Sequence, residues 1–290
     1  MHTNHFARKL FLAAPLCLFA VGCGGDPMMD ETLAGEAPAG EAVTVTDTAA
    51  PAAPDDAALA TAEQGVNLGG TYWWGTSNNG LTSTSIGTST GRTCFLTGVQ
   101  GNLKGTSWAG AGVYQYAGNW QIFVNHTNSK ALGTGVQCLD TATNRTPEMS
   151  WYDGQAAKLL GAVTASRRCF LTQVEAAGGF TANSDYARVW NDGYNWYLGG
   201  SLGGSGGARA ICVDVPTAQG GWLWIAGNPG TFTHNLDYNP GGVACLLSGI
   251  GGNFNTSNFN DGVSIDYNSG TRYWEMTVSN SKRGWSNCVK

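Results

Sequence analysis

One tetrapeptide constrains this chain more than any other feature. Cys94-Phe95-Leu96-Thr97 returns as Cys169-Phe170-Leu171-Thr172 and again as Cys245-Leu246-Leu247-Ser248, at spacings of 75 and 76 residues. A second cysteine series, Cys138, Cys212 and Cys288, follows in step. Between the two cysteines of each unit comes an apolar residue beside a glycine, in Gly101-Asn102-Leu103, Gly179-Phe180 and Gly252-Asn253-Phe254. An alternating stretch, a turn and a tryptophan follow, the last being Trp120, Trp196 or Trp274. Several landmarks kept in register define a repeat. They divide the body into units over 67–140, 141–215 and 216–290.

Inside a unit the apolar period is two. In the third unit Val263, Ile265 and Tyr267 alternate with polar residues, Asn268-Ser269-Gly270 supplies a turn, and Trp274, Met276 and Val278 alternate again. The second unit repeats this with Ala187, Val189, Trp196 and Leu198, and the first with Val113, Trp120, Ile122 and Val124. Such alternation marks a β-hairpin with one buried face. The composition agrees: 43 residues are Gly and only 12% are charged, whereas each Gly inside a helix costs about 1 kcal/mol relative to Ala. Only Gln155 to Val163 has room for a helical turn. The expected fold is all-β: three pseudo-repeated, disulfide-stapled units, either a pseudo-threefold assembly or a tandem array, preceded by a disordered tether.

The N-terminus is an address. Arg8 and Lys9 precede an apolar run from Leu10 to Val21, and Ala20-Val21-Gly22-Cys23 follows it. The run is too short to span a membrane, for which about twenty residues are needed. It reads as a signal peptide over 1–22. Small residues before Cys23 resemble the lipobox of bacterial lipoproteins, with Ala20 departing from the usual Leu; the resemblance implies lipidation of Cys23. Residues 23–66 then carry nine acidic side chains, no Lys or Arg and no aromatic. A stretch so poor in apolar surface cannot offset its ordering entropy. It is expected to hold the body, extracytoplasmic and at the outer membrane or cell surface, away from the bilayer. The lipid is the expected membrane contact.

Of the eight cysteines, Cys17 leaves with the signal peptide and Cys23 takes the lipid. Export places the other six in an oxidising compartment. Two pairing schemes respect the repeat. One joins Cys94 to Cys138, Cys169 to Cys212 and Cys245 to Cys288; the other joins Cys138 to Cys169 and Cys212 to Cys245, and closes with Cys94 to Cys288. The first is favoured because it staples each unit without requiring closure.

Catalytic chemistry is thin. Residues 199–207 match G-x-S-x-G twice, but the nucleophile elbow needs a strand turning into a helix, and this stretch reads as a Gly and Ser loop. His126 and His234 read as exposed loop residues. Asp192, Asp214, Asp261 and Asp266 fall at expected turns or strand ends, where Asp bonds nearby backbone. No Cys-x-x-Cys or neighbouring His completes a zinc set, and phosphate and calcium loops are absent. We expect no catalytic residues, no metal and no cofactor. Residues 68–290 are close to neutral, with no basic run beyond Arg167-Arg168, which argues against nucleic acid.

Aromatics are what remains. Trp120, Trp196 and Trp274 sit inside the alternating pattern and read as core, whereas Trp108, Trp190 and Trp285 are unrepeated candidates for the surface. Upstream of each first cysteine lies an aromatic pair: Trp73-Trp74, Trp151-Tyr152, and Trp222 with Trp224. Neighbours on a strand face opposite sides, so one ring of each pair could lie flat on the surface. Trp74, Tyr152 and Trp224 are the candidates, as platforms on which the apolar face of a sugar stacks.

The repeat as a whole, Cys-Phe-Leu-Thr, then Gly-Phe or Gly-Asn-Phe, then Trp-x-Leu or similar and a closing Ala-x-x-Cys or like ending, resembles repeats of secreted proteins and lipoproteins of myxobacteria and related bacteria, some labelled adhesin-like. The first unit departs at its close, with Gly135-Val136-Gln137-Cys138. The resemblance covers nearly all of 70–290, implies a surface location and brings no catalytic residues. The expectation is a surface binding or adhesive module for a glycan or other cell-surface polymer. The alternatives are a structural envelope protein without a discrete site and, behind it, a secreted hydrolase.

Overall fold

The alternation becomes strands over almost the whole body. The computed structural model describes residues 68–104, 108–216, 218–225, 230–239 and 241–290, with side chains described for all of these except 68, 218–220 and 222–225. The expected signal peptide, lipidated Cys23 and tether lie outside the described residues. Among the described residues each unit contributes six strands. The first has β1 (Leu68–Thr76), β2 (Gly80–Thr88), β3 (Thr93–Gly101), β4 (Ala109–Tyr116), β5 (Asn119–His126) and β6 (Leu132–Leu139). The second has β7 (Met149–Tyr152), β8 (Lys158–Ala162), β9 (Arg167–Ala177), β10 (Tyr186–Asn191), β11 (Asn195–Ser201) and β12 (Ser205–Asp214). The third has β13 (Ala218–Ile225), β14 (Thr231–Tyr238), β15 (Ala244–Gly251), β16 (Gly262–Asn268), β17 (Tyr273–Ser279) and β18 (Arg283–Val289). The fold is all-β among the described residues. The stretch with room for a helical turn instead supplies β8, where Gly161 takes a φ of 136° that no right-handed helix permits.

Within a unit the first, sixth and third strands form one antiparallel layer, and the second, fifth and fourth form another. In the first unit these layers touch through β1–β5 and β4–β6, and the other two units repeat the arrangement. Neither layer stops at its unit. β9 pairs with β4, β15 with β10, and β3 with β16, giving three six-stranded sheets that are each shared by two units. The β3–β16 pairing joins the first unit to the third. The units therefore close into a pseudo-threefold ring, which decides between the two arrangements the sequence left open.

Each position of the recurrent tetrapeptide has a structural task. Its cysteine lies directly opposite the second cysteine on the neighbouring strand, and the bonds are Cys94–Cys138, Cys169–Cys212 and Cys245–Cys288, with separations of 44, 43 and 43 residues. Its second residue, Phe95, Phe170 or Leu246, is fully buried. The strands β3, β9 and β15 that carry these residues touch one another around the ring's centre, and the Phe95 and Phe170 ring centroids lie 5.1 Å apart. The fourth residue, Thr97, Thr172 or Ser248, has no partner opposite: Leu96 faces Val136 while Gly98 faces Gly135, and the other two units slip at the same place. It is a β-bulge, which bends a strand and sharpens its twist. Residues before the bulge serve the centre of the ring; residues after it pair with the next unit.

The apolar residue beside the glycine builds a second central layer. Leu103 donates its N–H to the Phe254 carbonyl at 2.9 Å, and Phe254 donates to the Phe180 carbonyl at 2.8 Å. The Phe180 and Phe254 rings meet edge-on at 5.7 Å. Beside Phe254, the buried Lys282 ammonium pairs with Asp261 and lies 5.3 Å from the Phe254 ring centre. Burial lowers the Lys282 pKa; at Asp261 burial works to raise the pKa, but hydrogen bonds from Lys282 and Ser279 outweigh it and hold the carboxyl below its ordinary value.

His126 corrects the exposed-loop expectation. It is fully buried, because Trp120, Ile122, Val124 and His126 are alternate residues of β5 and share its inward face. His234 lies within β14 and not in a loop.

Candidate functional site

The register of the outer strands decides which rings face out. Trp74 pairs with Thr134, Trp151 with Ala208 and Trp224 with Gly284, each four residues before the second cysteine of its unit. Trp74, Trp151 and Trp224 are therefore the equivalent positions, and Tyr152 lies one residue further along. At this position Trp151 is fully buried and donates Nε1–H to the Gln155 carbonyl at 3.1 Å. Trp74 is partly buried against the core and donates to Thr82 Oγ1 at 3.3 Å. The side chain of Trp224 lies outside those described. In the first pair the outward ring is Trp73, 49% exposed. Its six-membered ring crosses Gly98, Gly133 and Gly135, where an added Cβ would lie 2.5–3.4 Å from the ring carbons.

Tyr152 is outward-facing, and it lines a cleft of about 640 Å3 between the first and second units. Trp108, Tyr152, Asp153, Gln155, Glu175 and the turn at Gly204 to Gly206 line it. The register explains why a cleft forms there. Across four strands Gly110, Glu175, Gly207 and Tyr152 stand in one row. Glu175 is thus flanked by two glycines, so no side chain stands directly beside it in the row. Gly207 cannot be replaced, since a Cβ there would come within 2.3 Å of the Trp151 carbonyl and 2.8 Å of the Tyr152 ring. The glycine-rich stretch read as a loop is in part strand: Ser205, Gly206 and Gly207 open β12.

Trp108 precedes β4 and is 45% exposed. It meets Tyr152 edge-on with ring centroids 6.0 Å apart, and its carbonyl accepts a bond from Asn125 Nδ2 at 3.0 Å. Asp153 accepts from the Leu202 N–H at 2.9 Å and donates its own N–H to the Gly206 carbonyl at 2.9 Å, which fixes its side of the cleft. Glu175 accepts from Gln173 Nε2 through Oε2 at 3.1 Å, while Oε1 is buried and accepts no bond. The cleft offers two rings at a right angle, two carboxylates and one amide. Such a corner suits a ligand with an apolar face and hydroxyl edges.

Sequence reasoning reached Tyr152 by its neighbour and placed Trp108 on the surface, but missed Glu175, Asp153 and Gln155. Only the glycines on both sides of Glu175 could have signalled it, and that signal needs the register. Among the described residues no group of three or more His, Cys, Asp or Glu side chains is placed to hold a metal ion.

Compared with models of protein families, with curated proteins and with solved structures, the chain matches none.

Proposed function

We propose that this chain is a lipid-anchored, extracytoplasmic protein that binds carbohydrate, with the cleft between the first and second units as its site. Three disulfides within a single body support an oxidising compartment, and the signal peptide and Cys23 support export and anchoring. The observation that carries the reading is the Trp108–Tyr152 corner beside Glu175, Asp153 and Gln155. A sugar ring stacks on Trp108, its hydroxyls donate to the unpartnered Glu175 Oε1, and Gln155 supplies both a donor and an acceptor. Among the described residues neither of the other two sheets repeats this set, so we take the site as single. Affinity for a monosaccharide is therefore weak, and many anchored copies on one membrane supply avidity for a polymer.

A glycan-array screen of residues 66–290 identifies the ligand. Trp108→Ala then loses binding while the far-UV spectrum is unchanged. Binding that survives both Trp108→Ala and Glu175→Gln removes the cleft from consideration. Two carboxylates in one cleft favour hydrolysis as the second reading. New reducing ends released from the bound glycan by wild type, and not by Glu175→Gln, would establish it.

A further inference from the structure

A crevice of about 360 Å3 lies between the second and third units, away from the cleft, and Arg188, Trp190, Asn191, Trp196, Ser286 and Asn287 line it. Three of its buried polar atoms have no partners. Trp196 Nε1, Ser286 Oγ and Arg188 Nε are all buried and make no hydrogen bond, and the Trp196 and Ser286 residues are only 3% and 1% exposed. The cause at Trp196 is visible in its two counterparts. Trp120 donates to the Arg92 carbonyl at 3.0 Å and Trp274 to the Val243 carbonyl at 2.8 Å, in each case two residues before the first cysteine. In the second unit that carbonyl belongs to Arg167 and accepts Arg168 Nη1 at 2.6 Å. The Trp196 N–H has nowhere to go.

Arg188 is equally unprovided. Its guanidinium lies 5.4–5.7 Å from the ring centres of Tyr186, Trp190 and Trp285, and among the described residues it has no ion-pair or hydrogen-bond partner. No carboxylate lines the crevice. The closest in sequence, Asp192, is engaged by the Tyr194 and Asn195 N–H groups and the Tyr197 hydroxyl.

The pseudo-threefold repeat supplies an internal comparison. The matching crevice between the first and second units, also about 360 Å3, is lined by Trp120, Arg145, Glu148 and Arg209 among others. There Glu148 accepts from Thr172 Oγ1 at 2.6 Å and stands 3.5 Å from Arg209 Nη1. Met149 pairs with Ala210, so Glu148 falls opposite Ile211, one residue before Cys212. Gly221 pairs with Asn287, one residue before Cys288. Glu148 and Gly221 are therefore the same position. One crevice carries its own carboxylate and leaves only Arg209 Nε among its buried donors unmet; the other has a glycine in its place and leaves Trp196 Nε1, Ser286 Oγ and Arg188 Nε unmet.

We propose that the crevice between the second and third units binds the carboxylate of an acidic sugar within a uronic-acid glycan, supplying from outside the group that Glu148 supplies from within the chain. Arg188 provides charge, and the buried Trp196 and Ser286 provide directed donors. Trp190 and Trp285 supply apolar walls for the sugar, and the Asn191 and Asn287 amides meet its hydroxyls. These rings and amides distinguish a sugar acid from an acidic peptide. The site does not depend on the cleft beside Trp108.

Trigalacturonic acid titrated into the folded protein and followed by tryptophan fluorescence tests the proposal. Wild type and Trp108→Ala bind alike. Arg188→Gln and Gly221→Glu each weaken binding about tenfold or more, and Gly221→Glu also raises the thermal midpoint by meeting the buried donors internally. Gly221 has ordinary backbone geometry, and the nearest obstacle to a Cβ there is the movable Asn287 Oδ1 at 2.8 Å. Absence of binding by wild type overturns the proposal. So does wild-type affinity in Arg188→Gln, which breaks no ion pair or hydrogen bond among the described residues and keeps the test valid should Gly221→Glu fail to fold. Equal displacement of the ligand by poly-glutamate, which has carboxylates but no sugar ring, overturns the sugar assignment.

Discussion

Phe170→Ala removes a fully buried ring from the centre of the ring of units, where it packs 5.1 Å from Phe95 with the third place taken by Leu246. Truncating a buried Phe costs about 3–5 kcal/mol. The disulfide beside it, Cys169–Cys212, and the bulge at Thr172 hold β9 on both sides of the gap, so the walls cannot collapse inward and the cost lies at the top of that range. Phe170→Leu, which copies the third unit, costs less than about 1.5 kcal/mol. The exposed Phe232 of β14 provides the contrast, since its change to Ala stays within about 0.5 kcal/mol. Guanidinium unfolding followed by tryptophan fluorescence and by far-UV dichroism measures all three. Because every sheet is shared between units, Phe170→Ala lowers one transition for the whole body. A cost below about 1.5 kcal/mol, or separate melting of the second unit alone, would refute this reasoning.

Three further outcomes follow from local chemistry. Replacing Cys245 and Cys288 by Ala opens a loop with a separation of 43 residues and costs about 4 kcal/mol in guanidinium unfolding; a loss under about 1 kcal/mol would contradict the assigned role. Burial lowers the His126 pKa from 6.5, so the unfolded chain takes up this proton first. The contribution is complete above pH about 6.5 and is lost as pH falls below it. The thermal midpoint of wild type should drop between pH 7 and 5 more than that of His126→Leu, and parallel curves would contradict it. Asp261→Asn leaves the Lys282 ammonium buried without its carboxylate and costs about 3–5 kcal/mol, of which Lys282→Met in the same chain restores part; a single variant as stable as wild type would show that the pair is not needed.

Much of the fold was legible because the relevant signals are local. Trp274, Met276 and Val278 announce their strand by alternation, and the cysteines announce their pairing by constant separation. Ring closure was not legible: nothing in Val99 or Val263 says that they face each other across β3 and β16. The task of Thr97 was hidden for a similar reason, since a bulge exists only relative to the opposite strand. At the candidate site, matching rings by type set Tyr152 beside Trp74, whereas the hydrogen-bond register puts Trp151 there. Glu175 lies between Val174 and Ala176 and looks like one solvent-facing residue in an apolar strand. Its distinction comes from Gly110 and Gly207, two glycines among 43, which only the folded sheet brings to its sides. His126 misled because its neighbours Asn125, Thr127 and Asn128 are polar, although period two already placed it on the inward face.

The central claim, that the three units close through β3 and β16, is tested most directly by Gly98→Cys combined with Ser264→Cys. These residues are paired neighbours on the first and third units, and a Cβ at residue 98 would stand 3.4 Å from the Ser264 Cβ, close to the roughly 3.8 Å typical of a disulfide. In a tandem array a whole unit would separate them. Nonreducing peptide mapping of the monomer should find a bond joining residues 98 and 264 beside the three native disulfides. Two free thiols with the native bonds intact, or a bond found only between molecules, would contradict the closed ring.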